Sequence, residues 1–292
     1  MKFAAAALLG FLLLATPVSA ADVTVREFSA TELESLDAYR DHVAWTESSG
    51  RGQNQLMTLV NGAAVAIPVK PVEGMDVAAG PDGQPVVVYN RCGKQRCTFY
   101  TYDFAAGREQ VLKGAPAGNW ENWSFWRDRF VLIRKGRLVV FPLGGKPRDV
   151  GRAKTLADKA IDFNGVAVSY VNQTEPEADV EQYSLAYWPV SGKGRSLLDL
   201  RHGLSGDLSM AGAYVSSSYA YATQRSGEFG GPNRLWRIKL STGKRDYAGL
   251  PSFAAWAVPL GTKQAVVYGC PTNEDDDVNT PCRLVLRDVT YR

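Results

Sequence analysis

The sequence predicts an all-β protein, a six-bladed β-propeller of four-stranded antiparallel blades. Short runs of β-branched and aromatic residues recur behind turn residues, and their first residues lie 36 to 52 positions apart. A further β run follows each of them, and no amphipathic helix stands out between them. A period in the forties with four short strands per copy is typical of a propeller blade, whereas a solenoid needs a shorter period or helices.

The clearest copy runs from Gly80 to Lys113. Pro81-Asp82-Gly83 is a turn signal, because proline fixes φ, aspartate bonds its own backbone and glycine accepts positive φ. Val86 to Tyr89 is rich in β formers and too short for a helix, and Thr98 to Phe104 is predicted to be its antiparallel neighbour. The two other strands of this copy are Met75 to Ala79 and Glu109 to Leu112.

Six copies can be aligned on their second and third strands. The predicted second strands are Val43 to Thr46, Val86 to Tyr89, Phe130 to Ile133, Val166 to Tyr170, Ser218 to Thr223 and Ala265 to Tyr268. The predicted third strands are Gln55 to Val60, Thr98 to Phe104, Arg137 to Leu143, Gln182 to Trp188, Arg234 to Leu240 and Arg283 to Val289.

The two ends of the repeat array complement one another. The sixth copy stops at Arg292 after its third strand, and Val23 to Phe28 is a strand-like segment that precedes the first copy. Pairing this N-terminal strand with the last copy closes the ring and removes unpaired sheet edges. We therefore predict a single propeller domain over residues 21–292.

The N-terminal residues read as a Sec-type signal peptide over residues 1–20. A positive start at Lys2 precedes an apolar run from Ala4 to Leu14, and Val18-Ser19-Ala20 is a small-residue site with cleavage expected after Ala20. We expect a secreted or periplasmic protein without an integral membrane segment after cleavage, because no later run approaches the ~20 apolar residues of a spanning helix. With 33 basic and 30 acidic side chains, the charge indicates no nucleic-acid partner.

The Gly80 to Leu112 segment also carries a family resemblance. The letters PDGQPVVVY, then Arg91, a glycine-bearing loop and an aromatic strand ending at Tyr102-Asp103, resemble the PD40-type (WD40-like) repeat of TolB-like six-bladed β-propellers. The other copies share the pattern rather than the letters. The resemblance implies a propeller and, by analogy, a platform for binding.

The cysteines occupy matching positions in two copies. In a four-stranded meander, the loops between second and third strands open on the same side as the blade-to-blade connections, and we call this side the loop face. Four cysteines in an exported chain favour two disulfides. Equivalence in the repeat predicts the pairs Cys92–Cys97 and Cys270–Cys282, since the spacing fits neither a thiolate metal site nor a CxxC redox motif.

Charged loops of the loop face are candidate contacts for a protein partner. The basic candidates are Arg51, Arg91, Lys94 and Arg96, and the acidic ones are Glu175, Glu177, Asp179 and Glu181. Trp120, in a blade-to-blade segment, is a candidate for stacking on a ligand, although large aromatics also fill blade interiors. The alternative interpretation is that solvated loops simply carry charge.

The last inter-cysteine loop resembles a calcium loop only in part. Its alternating oxygen ligands would be Asn273, Asp275, Asp277 and Asn279. Val278 stands where an EF-hand needs glycine and Leu284 where it needs glutamate, which excludes an EF-hand. A weak, irregular calcium site or a solvated acidic loop remain the two interpretations, and no other cofactor is expected.

Catalytic signatures are scarce. There is no G-x-S-x-G elbow and no phosphate-binding glycine loop, and His42 and His202 are the two histidines. We expect an exported, non-catalytic protein that binds a protein partner through its loop face. The alternatives are a structural cell-envelope protein and a calcium-dependent, lactonase-like propeller hydrolase, whose channel carboxylates would be Asp76, Glu121 and Asp162. The sequence does not indicate an oligomeric state.

Overall fold

The structure is a computed structural model that describes residues 22–28, 32–48, 54–94, 96–118, 120, 122–153, 156–177, 180–201, 208–226, 233–270 and 281–292. The regular structure within these ranges is entirely β, as predicted. Nowhere in them is there a helix long and apolar enough to cross a membrane. The predicted signal peptide lies outside the described residues.

The described residues form 24 strands. In chain order they are β1 (Val23–Phe28), β2 (Glu32–Tyr39), β3 (His42–Ser48), β4 (Asn54–Val60), β5 (Ala63–Ala66), β6 (Gly74–Ala79), β7 (Pro85–Cys92), β8 (Cys97–Asp103), β9 (Arg108–Val111), β10 (Trp123–Trp126), β11 (Arg129–Arg134), β12 (Arg137–Pro142), β13 (Arg148–Arg152), β14 (Leu156–Phe163), β15 (Ala167–Glu177), β16 (Val180–Pro189), β17 (Arg195–Arg201), β18 (Leu208–Val215), β19 (Tyr219–Ser226), β20 (Arg234–Lys239), β21 (Arg245–Gly249), β22 (Ala254–Leu260), β23 (Gln264–Gly269) and β24 (Cys282–Asp288).

The strands make six four-stranded antiparallel sheets, which are the blades of a β-propeller. Blades 1 to 5 are successive meanders, β2 to β5, β6 to β9, β10 to β13, β14 to β17 and β18 to β21. Blade 6 consists of β22, β23 and β24 with β1 as its outer strand. The predicted fold class and the predicted ring closure are both confirmed.

The closing strand β1 is held in blade 6 by backbone hydrogen bonds to β24 and by ion pairs. It runs antiparallel to β24, pairing Val23 with Leu286 and Phe28 with Cys282. Phe28 is buried and packs edge-on against the ring of Tyr268. Three ion pairs reinforce the strand: Asp22–Arg287, Arg26–Glu47 and Glu27–Arg283. Because Glu47 belongs to β3, the Arg26 contact also ties the closing strand to blade 1.

The core lies between neighbouring blades, so both faces of the inner strands are buried. This explains why Val86 to Tyr89 reads as a continuous apolar run rather than an alternating one. The packing is close at Trp188, whose ring lies against Gly151 of the previous blade and Gly194 of its own. A Cβ added at either glycine would come within 2.4 Å or 2.0 Å of the ring. Only glycine therefore fits beside this tryptophan.

Candidate functional site

The first strand of each blade lines the central channel, and one position of that strand recurs around it. We call these six residues the channel ring: Asp37, Asp76, Ser124, Asp162, Tyr214 and Trp256. Five of them line a common cavity, and the Ser124 hydroxyl donates to Asp76 at 3.2 Å and also lies 3.5 Å from a carboxylate oxygen of Asp162. The ring thus joins polar groups from blades far apart in the sequence.

Each aspartate of the channel ring binds the backbone of the next first strand. Its carboxylate accepts a hydrogen bond from the backbone N–H of a residue in the first strand of the next blade. The three contacts join Asp37 to Val77 at 2.7 Å, Asp76 to Phe125 at 2.6 Å and Asp162 to Val215 at 2.5 Å. These bonds satisfy amides that would otherwise be buried unpaired beside the channel, so the carboxyl groups hold neighbouring blades together.

Burial, with a smaller contribution from a neighbouring carboxylate, raises the pKa of all three aspartates. Burial, together with the charge of Asp162, raises the pKa of Asp76 to about 7. Burial and the nearby Asp37 raise the pKa of Asp162 to about 7, although part of Asp162 remains accessible and water screens it more. Burial and then Asp76, which is also a hydrogen-bond partner, raise the pKa of Asp37 well above its usual range. The cluster therefore retains protons at pH values where isolated aspartates are ionised.

The opposite side of the channel ring is aromatic. Trp256 Nε1 donates a hydrogen bond to the hydroxyl of Tyr214, and this hydroxyl donates in turn to the carbonyl of Leu36 at 3.5 Å. Burial raises the pKa of Tyr214 well above its usual value. The two rings line the cavity on the side that lacks carboxyl groups.

The cavity enclosed by the ring is small, about 40 Å³. Gly74, Asn122 and Trp123, which lie at or just before the start of first strands, line its other end. Because first strands are entered from the loop face, these residues mark the loop-face mouth of the channel. Such a volume holds a water molecule or an ion, whereas drug-sized ligands need roughly 300 Å³ or more.

On the loop face, both disulfides have the pairing expected from the repeat. Cys92–Cys97 joins residues directly opposite one another on β7 and β8, and Cys270–Cys282 closes the corresponding loop of blade 6. Residues 271–280 lie outside the described residues, and with them the candidate calcium ligands Asn273, Asp275, Asp277 and Asn279.

Arg91, predicted as a partner contact, is engaged within the protein. Its guanidinium donates to both carboxylate oxygens of Glu109, at 3.1 Å and 2.5 Å, and to the carbonyl of Lys70 at 3.2 Å. It also lies over the rings of Tyr100 and Tyr89, at 4.4 Å and 5.3 Å from their centroids. The hydrogen bond from Arg91 lowers the pKa of Glu109. Arg91 therefore braces the hairpin that carries the first disulfide.

The two other basic residues of this hairpin point to solvent. Lys94 and Arg96 are exposed and make no ion pair with any described residue. The nearby Glu73 accepts a hydrogen bond from the backbone N–H of Cys92 at 3.3 Å. The hairpin tip between the paired cysteines therefore presents positive charge on a rigid support.

Trp120 lies in the connection between blades 2 and 3, as predicted, but it is half-buried against the core of those blades. Its ring covers Gly118, where an added Cβ would lie 3.1 Å from Nε1. Gly118 has a φ of 136°, a conformation that favours glycine. This arrangement supports a packing role for much of the Trp120 side chain.

Several predicted residues cannot be placed in the site. Arg51, Glu121 and Asp179 lie outside the described residues. Glu175, Glu177 and Glu181 belong to β15 and β16, but their side chains are not among the described ones. The sequence reasoning missed Asp37. Its signal is an aspartate followed by an apolar residue in a first strand, shared by Asp37-Ala38, Asp76-Val77 and Asp162-Phe163.

The chain matches no protein-family model and no curated protein by sequence. Solved structures do share its architecture. TolB from Acinetobacter baumannii is 12% identical with a TM-score of 0.50, over 86% of this chain and 65% of TolB. The Pyrococcus horikoshii acylaminoacyl peptidase is 12% identical with a TM-score of 0.53, over 89% of this chain and 52% of the peptidase.

The β-propeller domain of the Trilobed protease from Pyrococcus furiosus is 10% identical with a TM-score of 0.50, over 91% of this chain and 95% of that domain. Its topology is described as an open velcro, whereas β1 closes the ring here. This chain spans somewhat under two-thirds of TolB and about half of the peptidase. At these identities the likeness concerns the fold alone, which is a six-bladed β-propeller similar in architecture to TolB.

Proposed function

We propose that the chain is an exported, non-catalytic binding protein that docks a protein partner on its loop face. The observation that carries this proposal is the hairpin closed by Cys92–Cys97, which presents Lys94 and Arg96 to solvent. Both residues lie between the two paired cysteines, on a hairpin that is braced by the Arg91–Glu109 pair. The export part of the proposal rests on the N-terminal sequence and is supported by the two disulfides.

Rigidity is what makes this hairpin suited to docking. Association costs free energy for ordering loops and side chains, and a pre-ordered surface avoids part of that cost. Here the disulfide fixes the loop ends, and the Arg91–Glu109 pair fixes the strands below it. Exposed rim charges such as Lys94 and Arg96 then act mainly by steering the encounter with an oppositely charged partner.

The channel supports binding over hydrolysis. A calcium-dependent hydrolase needs ionised carboxylates whose oxygens are available to the metal. Asp76 and Asp162 instead accept backbone N–H groups of neighbouring blades, and burial raises the pKa of both to about 7. The cavity lined by the described residues, about 40 Å³, is also far smaller than a typical small-molecule site.

The docking proposal can be tested by charge reversal and cross-linking. We expect Lys94→Glu/Arg96→Glu to weaken partner capture, mainly in association rate, with an effect that shrinks as salt is added. The matched control, Lys239→Glu/Lys244→Glu, changes two exposed lysines of blade 5 on the side of the propeller opposite the loop face. Lysine cross-links to the partner should fall on Lys70 and Lys94. Equal losses from both variants, or cross-links concentrated on Lys239 and Lys244, would contradict a loop-face site.

The hydrolase alternative has its own measurement. Calcium titration by calorimetry, after the protein has been stripped with chelator, should give no binding that depends on Asp76. Stoichiometric calcium binding that disappears in Asp76→Asn would favour the hydrolase. Calcium binding that persists in Asp76→Asn would place the ion elsewhere, and residues 273–279 would be the next to change.

A further inference from the structure

Three arginines lie side by side across blade 3. Strands β11 and β12 are joined by Lys135-Gly136, which have φ values of 50° and 72°, the positive pair of a tight two-residue hairpin. This turn places Arg134 directly opposite Arg137, and the next ladder places Arg137 directly opposite Arg152 on β13. Residues directly opposite one another project from the same side of a sheet. We call Arg134, Arg137 and Arg152 the arginine row.

The arginine row is costly to the fold. Like charges directly opposite one another destabilise a sheet. Arg137 has a counter-charge, Asp149, whose carboxylate accepts from its Nε at 2.5 Å. Arg134 and Arg152 are exposed and have no acidic partner in the described part of the chain. Basic residues often protect edge strands from pairing, but Arg134 and Arg137 are on the second and third strands, so edge protection does not account for them.

Two members of the arginine row, Arg134 and Arg137, line a cleft of about 670 Å³, and Arg152 lies beside Arg137 outside that lining. The rest of the lining is Lys135, Arg148, Val139, Pro147 and Asp149, and since the Asp149 carboxylate is paired with Arg137, Arg134, Lys135 and Arg148 supply positive charge left unpaired by the described residues. The volume is in the range of small-molecule sites. Adjacent strands are about 4.8 Å apart, so the row spans roughly 10 Å. This is enough for more than one anionic group.

We propose that this cleft binds a ligand carrying two or more linked phosphate groups. Guanidinium groups match phosphate with paired hydrogen bonds, and the oxygens of one phosphate can accept from more than one arginine. No aromatic residue is among the described residues that line the cleft, so recognition rests on charge rather than on stacking of a sugar or base. The ligand is either a free polyphosphate or a phosphorylated lipid headgroup. The inference uses other residues than the docking proposal, although the β11–β12 turn opens on the same loop face.

The test is calorimetric titration of the full exported protein with inorganic tripolyphosphate. We expect one site, and at least about tenfold weaker binding in Arg134→Gln/Arg152→Gln. Arg134→Lys/Arg152→Lys keeps the charge but loses the paired geometry, and an intermediate loss is expected. The matched control, Lys244→Gln/Arg245→Gln, removes two exposed charges from blade 5 and should bind like the parent protein.

Stability separates a binding role from a structural one. Without ligand, Arg134→Gln/Arg152→Gln should melt at the same temperature as the parent or higher, because repulsion is relieved; a lower melting temperature would overturn the proposal. Three other results would also overturn it. They are no detectable binding of tripolyphosphate, an equal loss of binding in the control variant, and tighter binding of a glutamate-rich peptide of equal charge. The source of the phosphate groups is tested with phosphatidylcholine vesicles that contain a bisphosphorylated lipid. Vesicle binding that is lost in Arg134→Gln/Arg152→Gln identifies a lipid headgroup as the ligand. Binding of tripolyphosphate without vesicle binding identifies a free polyphosphate.

Discussion

In blades 1 to 4 the channel ring carries Asp37, Asp76, Ser124 and Asp162, whereas in blades 5 and 6 it carries Tyr214 and Trp256. On the acidic side, carboxyl groups bind the backbone of the neighbouring blade. On the aromatic side, the rings line the cavity and are hydrogen-bonded to each other. The same position of the repeat thus carries carboxyl groups in some blades and aromatic rings in others. Only the contacts made by the carboxyl groups change with pH.

The backbone contact between blades does not disappear on the aromatic side. Thr223, on the second strand of blade 5, accepts the N–H of Ala257 and donates to its carbonyl, each at 3.1 Å. Between blades 5 and 6, a neutral hydroxyl from the second strand therefore pairs with the backbone of the next blade, as the carboxyl groups do between other blades. The propeller therefore does not need carboxyl groups to join its blades, and the buried acidic cluster adds a pH dependence that the fold itself does not require.

The largest expected effect comes from removing the aromatic side. Tyr214→Ala should destabilise the protein by about 3–5 kcal/mol, because it leaves a cavity and takes away the acceptor of the Trp256 N–H. Urea unfolding should show a similar loss at pH 5 and pH 8. Tyr214→Phe, which keeps the ring, is the control and should lose about 1 kcal/mol. A loss that differs strongly between the two pH values would show that the two sides are coupled.

The second prediction concerns the pH dependence of the acidic side. Since the folded pKa of Asp76 and Asp162 is raised to about 7, their contribution to stability is complete below the ordinary aspartate pKa and is lost as pH rises through about 7. If the folded protein holds one extra proton, unfolding free energy should fall by about 3 kcal/mol from pH 5 to pH 8. Urea titrations across this range measure it. Stability that rises over the range would contradict a protonated cluster.

The smallest effect distinguishes the hydrogen bond of Asp76 from its charge. Asp76→Asn keeps an acceptor for the Phe125 N–H but cannot ionise, so it should cost little at pH 5 and flatten the decline toward pH 8. Asp76→Ala leaves that N–H unpaired and should cost about 1–2 kcal/mol at pH 5. Denaturant melts of both variants at both pH values make the comparison. Identical behaviour of Asn and Ala would show that the hydrogen bond contributes nothing.

Much of the fold could be predicted from the sequence, because each copy of the repeat contains recognisable turn residues and β-forming runs. The valine-rich run after Pro81-Asp82-Gly83 became β7, and Val23 to Phe28 became β1 with the expected partner. Matching cysteine positions gave the disulfides. These features depend on strand propensity, turn chemistry and repeat alignment, which a single sequence contains.

The channel ring and the role of Arg91 were harder to predict, because they depend on three-dimensional proximity. Asp76 and Asp162 were expected to face the channel, but the third carboxyl group, Asp37, lies 39 positions before Asp76 in the chain and was missed. Arg91 reads as an exposed loop cation until Glu109 is placed beside it. The arginine row is different, since Arg-Lys-Gly-Arg at residues 134–137 is a tight-turn pattern that already sets two arginines opposite one another.

The closing strand has a kinetic consequence. It joins residues as far apart as Asp22 and Arg287, 265 positions along the chain. Contacts of such separation form slowly, because a long loop must close before they contribute stability. During synthesis β1 is made first and its partner β24 last, so β1 stays unpaired while the other blades form. A chain interrupted within β24 keeps two exposed strand edges and is prone to aggregate, however stable its first five blades are.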